Sequence, residues 1–138
     1  MPNLNAALAC AQLEQLPAIL GNKLALADSY STFFRERNIS FVKGITESSP
    51  NYWLNTLILE SIDARDAFLK ETNTQKVMTR PIWRLMNKLP MYAYCMCGTL
   101  ANAEWLEERV VNIPSSYRPH ANKIVDPPKT LNFVPHLH

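Results

Sequence analysis

The chain has 138 residues, 47% hydrophobic and 19% charged, and its 14 basic and 12 acidic side chains give a formal net charge of +2. That length holds one domain with a modest core, and low charge with scattered Leu, Ile, Val, Phe and Trp excludes a wholly disordered polypeptide. No apolar run approaches the roughly 18 residues that a membrane span needs, so neither an integral membrane protein nor a membrane partner is expected.

The opening segment MPNLNAALACAQLEQL lacks a basic n-region and carries polar residues inside its apolar stretch, which makes it a poor signal peptide. The three cysteines cannot all pair within the chain, so reduced thiols and a cytoplasmic setting are expected. Pro2-Asn3 marks a helix start with Asn3 as its N-cap. Leu4, Leu8 and Ala11 share one helical face, and Ala6, Ala7 and Ala9 keep the surface small enough for close packing. Pro17 predicts a kink or break near Gln15–Leu16. A second helix follows over about Ala18–Arg37, with Ile19, Leu26, Tyr30 and Phe33 as its stripe. Residues 1–37 therefore read as a long helical arm.

Beyond Asn38 the pattern changes. Ile39–Lys43 could form a short strand, and Gly44–Asn51 reads as loop. Tyr52–Leu59, YWLNTLIL, is the strongest strand. Asp63 is expected to cap a helix over Ala64–Asn73 that buries Ala67 and Phe68. Val77–Thr79 reads as a second strand stopped by Pro81, and residues 82–98 as loop with about one helical turn. A helix over Thr99–Arg109 should contribute Leu100, Trp105 and Leu106 to the core. Val110–Ile113 is the third strand, ended by Pro114. The expected fold class is α+β: the arm, then residues 38–116 as a small, mostly antiparallel three-stranded sheet with helices on one face. Half of the ten prolines and all three histidines lie in the last 25 residues, so residues 117–138 are expected to be an extended or poorly ordered tail.

Charge is unevenly placed, −2 over residues 1–69 and +4 over residues 70–138. Lys76, Arg80, Arg84 and Lys88 could meet an anion, but the excess is too small to imply nucleic acid, and Pro81 argues against a continuous helix beneath them. Cys95-x-Cys97 supplies only part of a tetrahedral zinc set, and no second pair lies nearby; His136-x-His138 at the chain end reads as solvated. Cys10 stands alone. With three glycines in the whole chain, no phosphate loop is present. Glu107 and Glu108 are adjacent in a helix and point to different faces, which argues against a shared catalytic role. Arg80, fixed between a strand end and a proline, could fork onto a carboxylate or phosphate; its plainer role is to pair with a nearby Asp or Glu, and spacing alone favours that. Trp83, Met86, Leu89, Met91 and Tyr92 crowd one loop, which points to a missing neighbouring surface.

In order, the segments MPNLNAALACAQLEQLP, NYWLNTLILES, VMTRPIWRLMNKLPMY and ERVVNIPSS resemble the C-terminal part of nucleotide-sugar aminotransferases of the DegT type, nearest to those of legionaminic-acid-type synthesis. The resemblance runs from Met1 to about Ser116. It implies the small C-terminal domain of a pyridoxal-phosphate enzyme of aspartate-aminotransferase fold, acting on a keto sugar nucleotide with glutamate as amino donor. Members of that family are about two to three times this length, as a large cofactor domain beside a small one requires. The cofactor lysine, the acid facing the pyridine nitrogen and the phosphate-holding groups lie upstream of the matched region. The resemblance thus implies no stable cofactor binding and no transamination by this chain alone, and a missing cofactor domain or homodimer partner. It gives Arg80 a substrate-side role and places Asn87 where the family usually has histidine. Asparagine can exchange hydrogen bonds there but cannot take a charge. The alternatives are a non-enzymatic dimerisation or interaction module, or a weak anion binder.

Overall fold

The structure, a computed structural model, describes residues 2–118. The proline-rich tail and His136-x-His138 therefore lie almost wholly outside the described residues. Helix α1 spans Asn3–Arg35. Strand β1 is Ser40–Phe41, β2 is Asn55–Ile58, helix α2 is Ile62–Thr74, and β3 is Arg80–Pro81. Two single 3₁₀ turns, Met86–Lys88 and Pro90–Tyr92, precede α3 (Ala101–Glu107) and β4 (Val110–Ile113). No helix among the described residues is long and apolar enough to cross a membrane.

The four strands form one antiparallel sheet in the order β1-β2-β4-β3. The expected three-stranded sheet is thus four-stranded: the optional strand near Ile39–Lys43 forms, shortened to Ser40–Phe41. The Val77–Thr79 strand is also displaced. Pairing begins at Arg80 and includes Pro81, because a strand at the sheet edge tolerates a residue without an N–H. Thr79 instead turns inward, its hydroxyl 2.6 Å from that of Thr72 on α2.

Register sorts the side chains. Phe41 pairs with Leu57, Leu57 with Val111, Val111 with Pro81, and Asn55 with Ile113, so these share the inner face. Phe34 of α1 and Phe68 of α2 join Leu57, Leu59, Val111 and Ile113 in the core; Leu57 and Val111 are wholly buried. Thr56, Asn112 and Arg80 occupy the opposite, outer face.

Local chemistry explains the helix ends. Ser61, rather than Asp63, caps α2 by accepting from the Ala64 N–H at 3.1 Å; Asp63 sits in the first turn, where it complements the helix dipole. Asn3 is the first residue of α1, so Pro2 and not Asn3 is its N-cap. Both long helices stop alike. Ile39 N–H reaches Phe34 C=O and Val77 N–H reaches Thr72 C=O, with Asn38 and Lys76 in the left-handed region between them (φ 56° and 62°).

Pro17 does not break α1, which continues through it. The proline is exposed, so water can serve the Leu13 carbonyl that loses its partner. The buried stripe on α1 is Ala27, Ser31 and Phe34. Leu13, Leu16, Leu20 and Leu24 fall within the same arc of about 80° at helical spacing, yet they are 64%, 41%, 38% and 48% exposed. The apolar stripe therefore runs on past the sheet and stays exposed among the described residues. Ala67, Trp105 and Leu106, expected in the core, are exposed. Ala64 takes the place of Ala67 against the core, and the Trp105 ring is faced by the Arg109 guanidinium, 4.8 Å from its centroid.

This arrangement predicts a graded response along one helix face. Phe34→Ala should lower unfolding free energy by about 3–5 kcal/mol, whereas Leu16→Ala should change it by less than about 0.5 kcal/mol. Urea unfolding of the two variants checks both.

Candidate functional site

Arg80 is held by its neighbours. Asn73 donates to the Thr79 carbonyl at 3.2 Å and to its hydroxyl at 3.0 Å, docking the approach to β3 onto α2. Pro81 then restricts the exit. The Arg80 guanidinium is exposed, makes no ion pair among the described residues, and has one polar contact, to Met78 Sδ at 3.3 Å. Across β4, Thr56 Oγ1 donates to Asn112 Oδ1 at 2.9 Å.

Asn87 lies in the first 3₁₀ turn, and no hydrogen bond joins it to Arg80. Its Oδ1 is buried without a partner among the described residues. The turn is seated by Glu107 at the end of α3. One carboxylate oxygen accepts from the Leu85 N–H at 2.9 Å; the other pairs with the Lys88 ammonium. An acid at a helix C-terminus opposes the dipole, and these two donors offset that. They hold the Glu107 carboxyl below the usual carboxylate range, the Lys88 hydrogen bond first, against a smaller opposing effect of burial. Arg65 Nη1 closes the same helix end by donating to the Glu107 carbonyl at 2.7 Å.

The four spaced cations do not form a stripe. Lys88 is taken up by Glu107, Arg80 is on a strand, and Lys76 ends α2. Around the turn, Trp83, Met86 and Met91 are 69%, 60% and 61% exposed, so the crowded loop is not satisfied within the described chain. Cys10, Cys95 and Cys97 are free and exposed, and no group of His, Cys, Asp or Glu suited to a metal occurs among the described residues.

Asn55 escaped notice in the sequence. It is 1% exposed on the inner face of β2, and neither its carboxamide oxygen nor its nitrogen has a partner among the described residues. The available signal was a lone carboxamide inside an otherwise apolar and aromatic strand.

Among the described residues, the hollows beside β1 and along α1 do not fit pyridoxal phosphate. Such a site needs a free lysine amine, an anion cradle and an acid facing the pyridine nitrogen. Lys88 is paired with Glu107, and Lys23 donates to the Ser115 carbonyl at 2.6 Å. The hollow beside β1 offers Arg35 and Lys43 but no carboxylate, while the one along α1 is walled by Asp28 and Glu36, the wrong sign for a phosphate.

Residues 1–125 match the DegT/DnrJ/EryC1/StrS aminotransferase family. The chain is 26% identical over 121 residues to the GDP-perosamine synthase of Escherichia coli O157:H7, a match that takes in 83% of this chain and 31% of that enzyme. Among solved structures, the PLP form of Spr1654 from Streptococcus pneumoniae, described as a sugar aminotransferase, shares the fold with a TM-score of 0.74 at 18% identity, over 88% of this chain and 32% of that one. The sugar aminotransferase CalS13 from Micromonospora echinospora gives a TM-score of 0.67 at 20% identity, over 77% and 28%. The chain thus spans about a third of the length of the relatives it matches.

Two outcomes follow from the buried polar groups. Asn55→Leu, of similar volume, should raise stability by about 1–3 kcal/mol by removing an unsatisfied carboxamide, read as a higher urea midpoint. Because Glu107 titrates below its ordinary 4.5, its stabilising effect is present above that range and lost as pH falls through the lowered value. The Leu85 amide resonance should titrate there, and Glu107→Gln should abolish that titration.

Proposed function

The chain belongs to the DegT/DnrJ/EryC1/StrS aminotransferase family, and we propose that it serves as the small C-terminal domain of a sugar aminotransferase, with residues 1–37 as the linking arm and 38–116 as the domain. In this reading the complete enzyme moves an amino group from glutamate to a nucleotide-linked keto sugar. The observation that carries the reading is a family match over nearly the whole chain that takes in only 31% of a perosamine synthase.

Aminotransferases of this family use pyridoxal phosphate, and a Streptococcus pneumoniae relative in structure is known in its PLP form. The electron-sink chemistry belongs to that cofactor; in this reading the chain acts beside a cofactor-bearing domain and is inactive without it. Arg80 and Asn87 are the proposed substrate-side groups. Arg80 supports this by an exposed guanidinium with no ion pair among the described residues, and Asn87 by a carboxamide oxygen without a partner there, on a turn clamped by Glu107.

The uncovered leucine face of α1, with Trp83, Met86 and Met91, is surface for the cofactor-bearing domain or a second protomer. Exposed, unpaired thiols suit a cytoplasmic setting. The same uncovered face also favours a second reading, a non-enzymatic dimerisation module.

Purified chain should give no amino transfer from glutamate to a nucleotide keto sugar, and added pyridoxal phosphate should keep the spectrum of the free cofactor. Supplying a cofactor-bearing domain of the family should restore turnover, and Arg80→Ala should then lower kcat/KM about ten- to hundred-fold, the loss of a charge-assisted pair. Association without turnover would favour the dimerisation module.

A further inference from the structure

We propose that the outer face of the sheet carries an anion site in which Asn112 is the second donor beside Arg80, suited to a carboxylate or phosphate oxygen. The assignment of that anion to a substrate rests on the aminotransferase reading above; the site itself rests on geometry.

Strand pairing places Asn112 between Thr56 on β2 and Arg80 on β3. Directly opposed side chains on one face stand about 4.5–5.5 Å apart at Cβ, so the three form a continuous polar row on the side away from Phe34 and Phe68. Thr56 Oγ1 donates to Asn112 Oδ1 at 2.9 Å, which turns the carboxamide oxygen toward β2. The amide nitrogen then faces β3, the strand that carries Arg80. Among the described residues no acceptor is bonded to Asn112 Nδ2, and no carboxylate pairs with Arg80.

Two donors on neighbouring strands, the amide without an acceptor among the described residues and the guanidinium holding only the weak thioether acceptor of Met78 at 3.3 Å, make a receptor for an anion. The guanidinium forks onto a carboxylate or phosphate, and the neutral amide adds a directional bond. Preorganisation is strong on one side: Asn112 is half-buried on a central strand, with its rotamer fixed by Thr56. Arg80 is fixed at its backbone by the bonds from Asn73 to Thr79, with only the long side chain left to close. If the carboxamide were turned the other way, its oxygen would accept from Arg80 and the row would be satisfied internally, with no call for a ligand.

The two arrangements separate by nitrogen-15 NMR of the whole chain, following the Asn112 side-chain amide and the Arg80 Nε–H. Glutamate and inorganic pyrophosphate are titrated in separate samples. Both side-chain signals should move together on one or both titrations, and Arg80→Gln and Asn112→Asp should each weaken binding about ten-fold. Asn112→Asp keeps the size and the Thr56 bond but replaces a donor by a negative charge. If it perturbs the backbone spectrum, Asn112→Ser gives the same readout. A response to glutamate alone assigns the site to the amino donor, and one to pyrophosphate alone to the diphosphate of a sugar nucleotide. Silence of both side chains, or unchanged binding by the folded Asn112 variant, overturns the site. Anion binding that persists while a reconstituted enzyme fails to transfer amino groups would overturn the functional reading and leave the site standing.

Discussion

One packing interaction organises the molecule: two phenylalanines from helices far apart in the chain close over one pair of sheet residues. Phe34 arrives on α1 and Phe68 on α2, and both meet the Leu57–Val111 pair at the sheet centre. Because β4 lies between β2 and β3, the last of the described strands has to arrive before the two edges are joined. The core is small, with eight buried apolar residues among those described, so the loss of any large one is felt throughout.

The same closure decides what faces outward. Once Leu57 and Val111 point inward, their neighbours Thr56 and Asn112 must point outward, because strand residues alternate. Arg80 follows as the partner of Asn112. The outer row is therefore a by-product of core register, and a slip of one residue would bury it. The clamp at Glu107 works differently. It uses charge at a helix end to seat a loop that has little apolar burial of its own, and so it sets where Asn87 and Trp83 stand.

Much of this was legible in the residues themselves. Segments rich in β-branched and apolar groups, such as Val110–Ile113, mark central strands whose burial matches their composition. Arg80 stood out because a proline follows it. The displaced β3 shows what composition misses: Val77 and Thr79 have strand-forming side chains, but Thr79 is claimed by Thr72 and Asn73 of α2, and pairing starts only after it. Trp105 looked like core by size alone, whereas a tryptophan can be served by an arginine over its ring. Pro17 reads as a break when water is ignored. Asn112 could not be singled out at all, since its meaning comes from which strands flank it, a non-local fact.

The anchoring of α1 divides it into a fixed and a projecting part. Asn22 exchanges hydrogen bonds with the backbone of Arg118, and Lys23 binds Ser115, so the helix is riveted to the body at that point. Residues 3–21 then extend beyond the last rivet for about 28 Å at the ordinary helical rise. A rod of that length works as a ruler: whatever grips its far end is set at a fixed stand-off and heading from the sheet, and any tilt at the rivet is magnified along the rod.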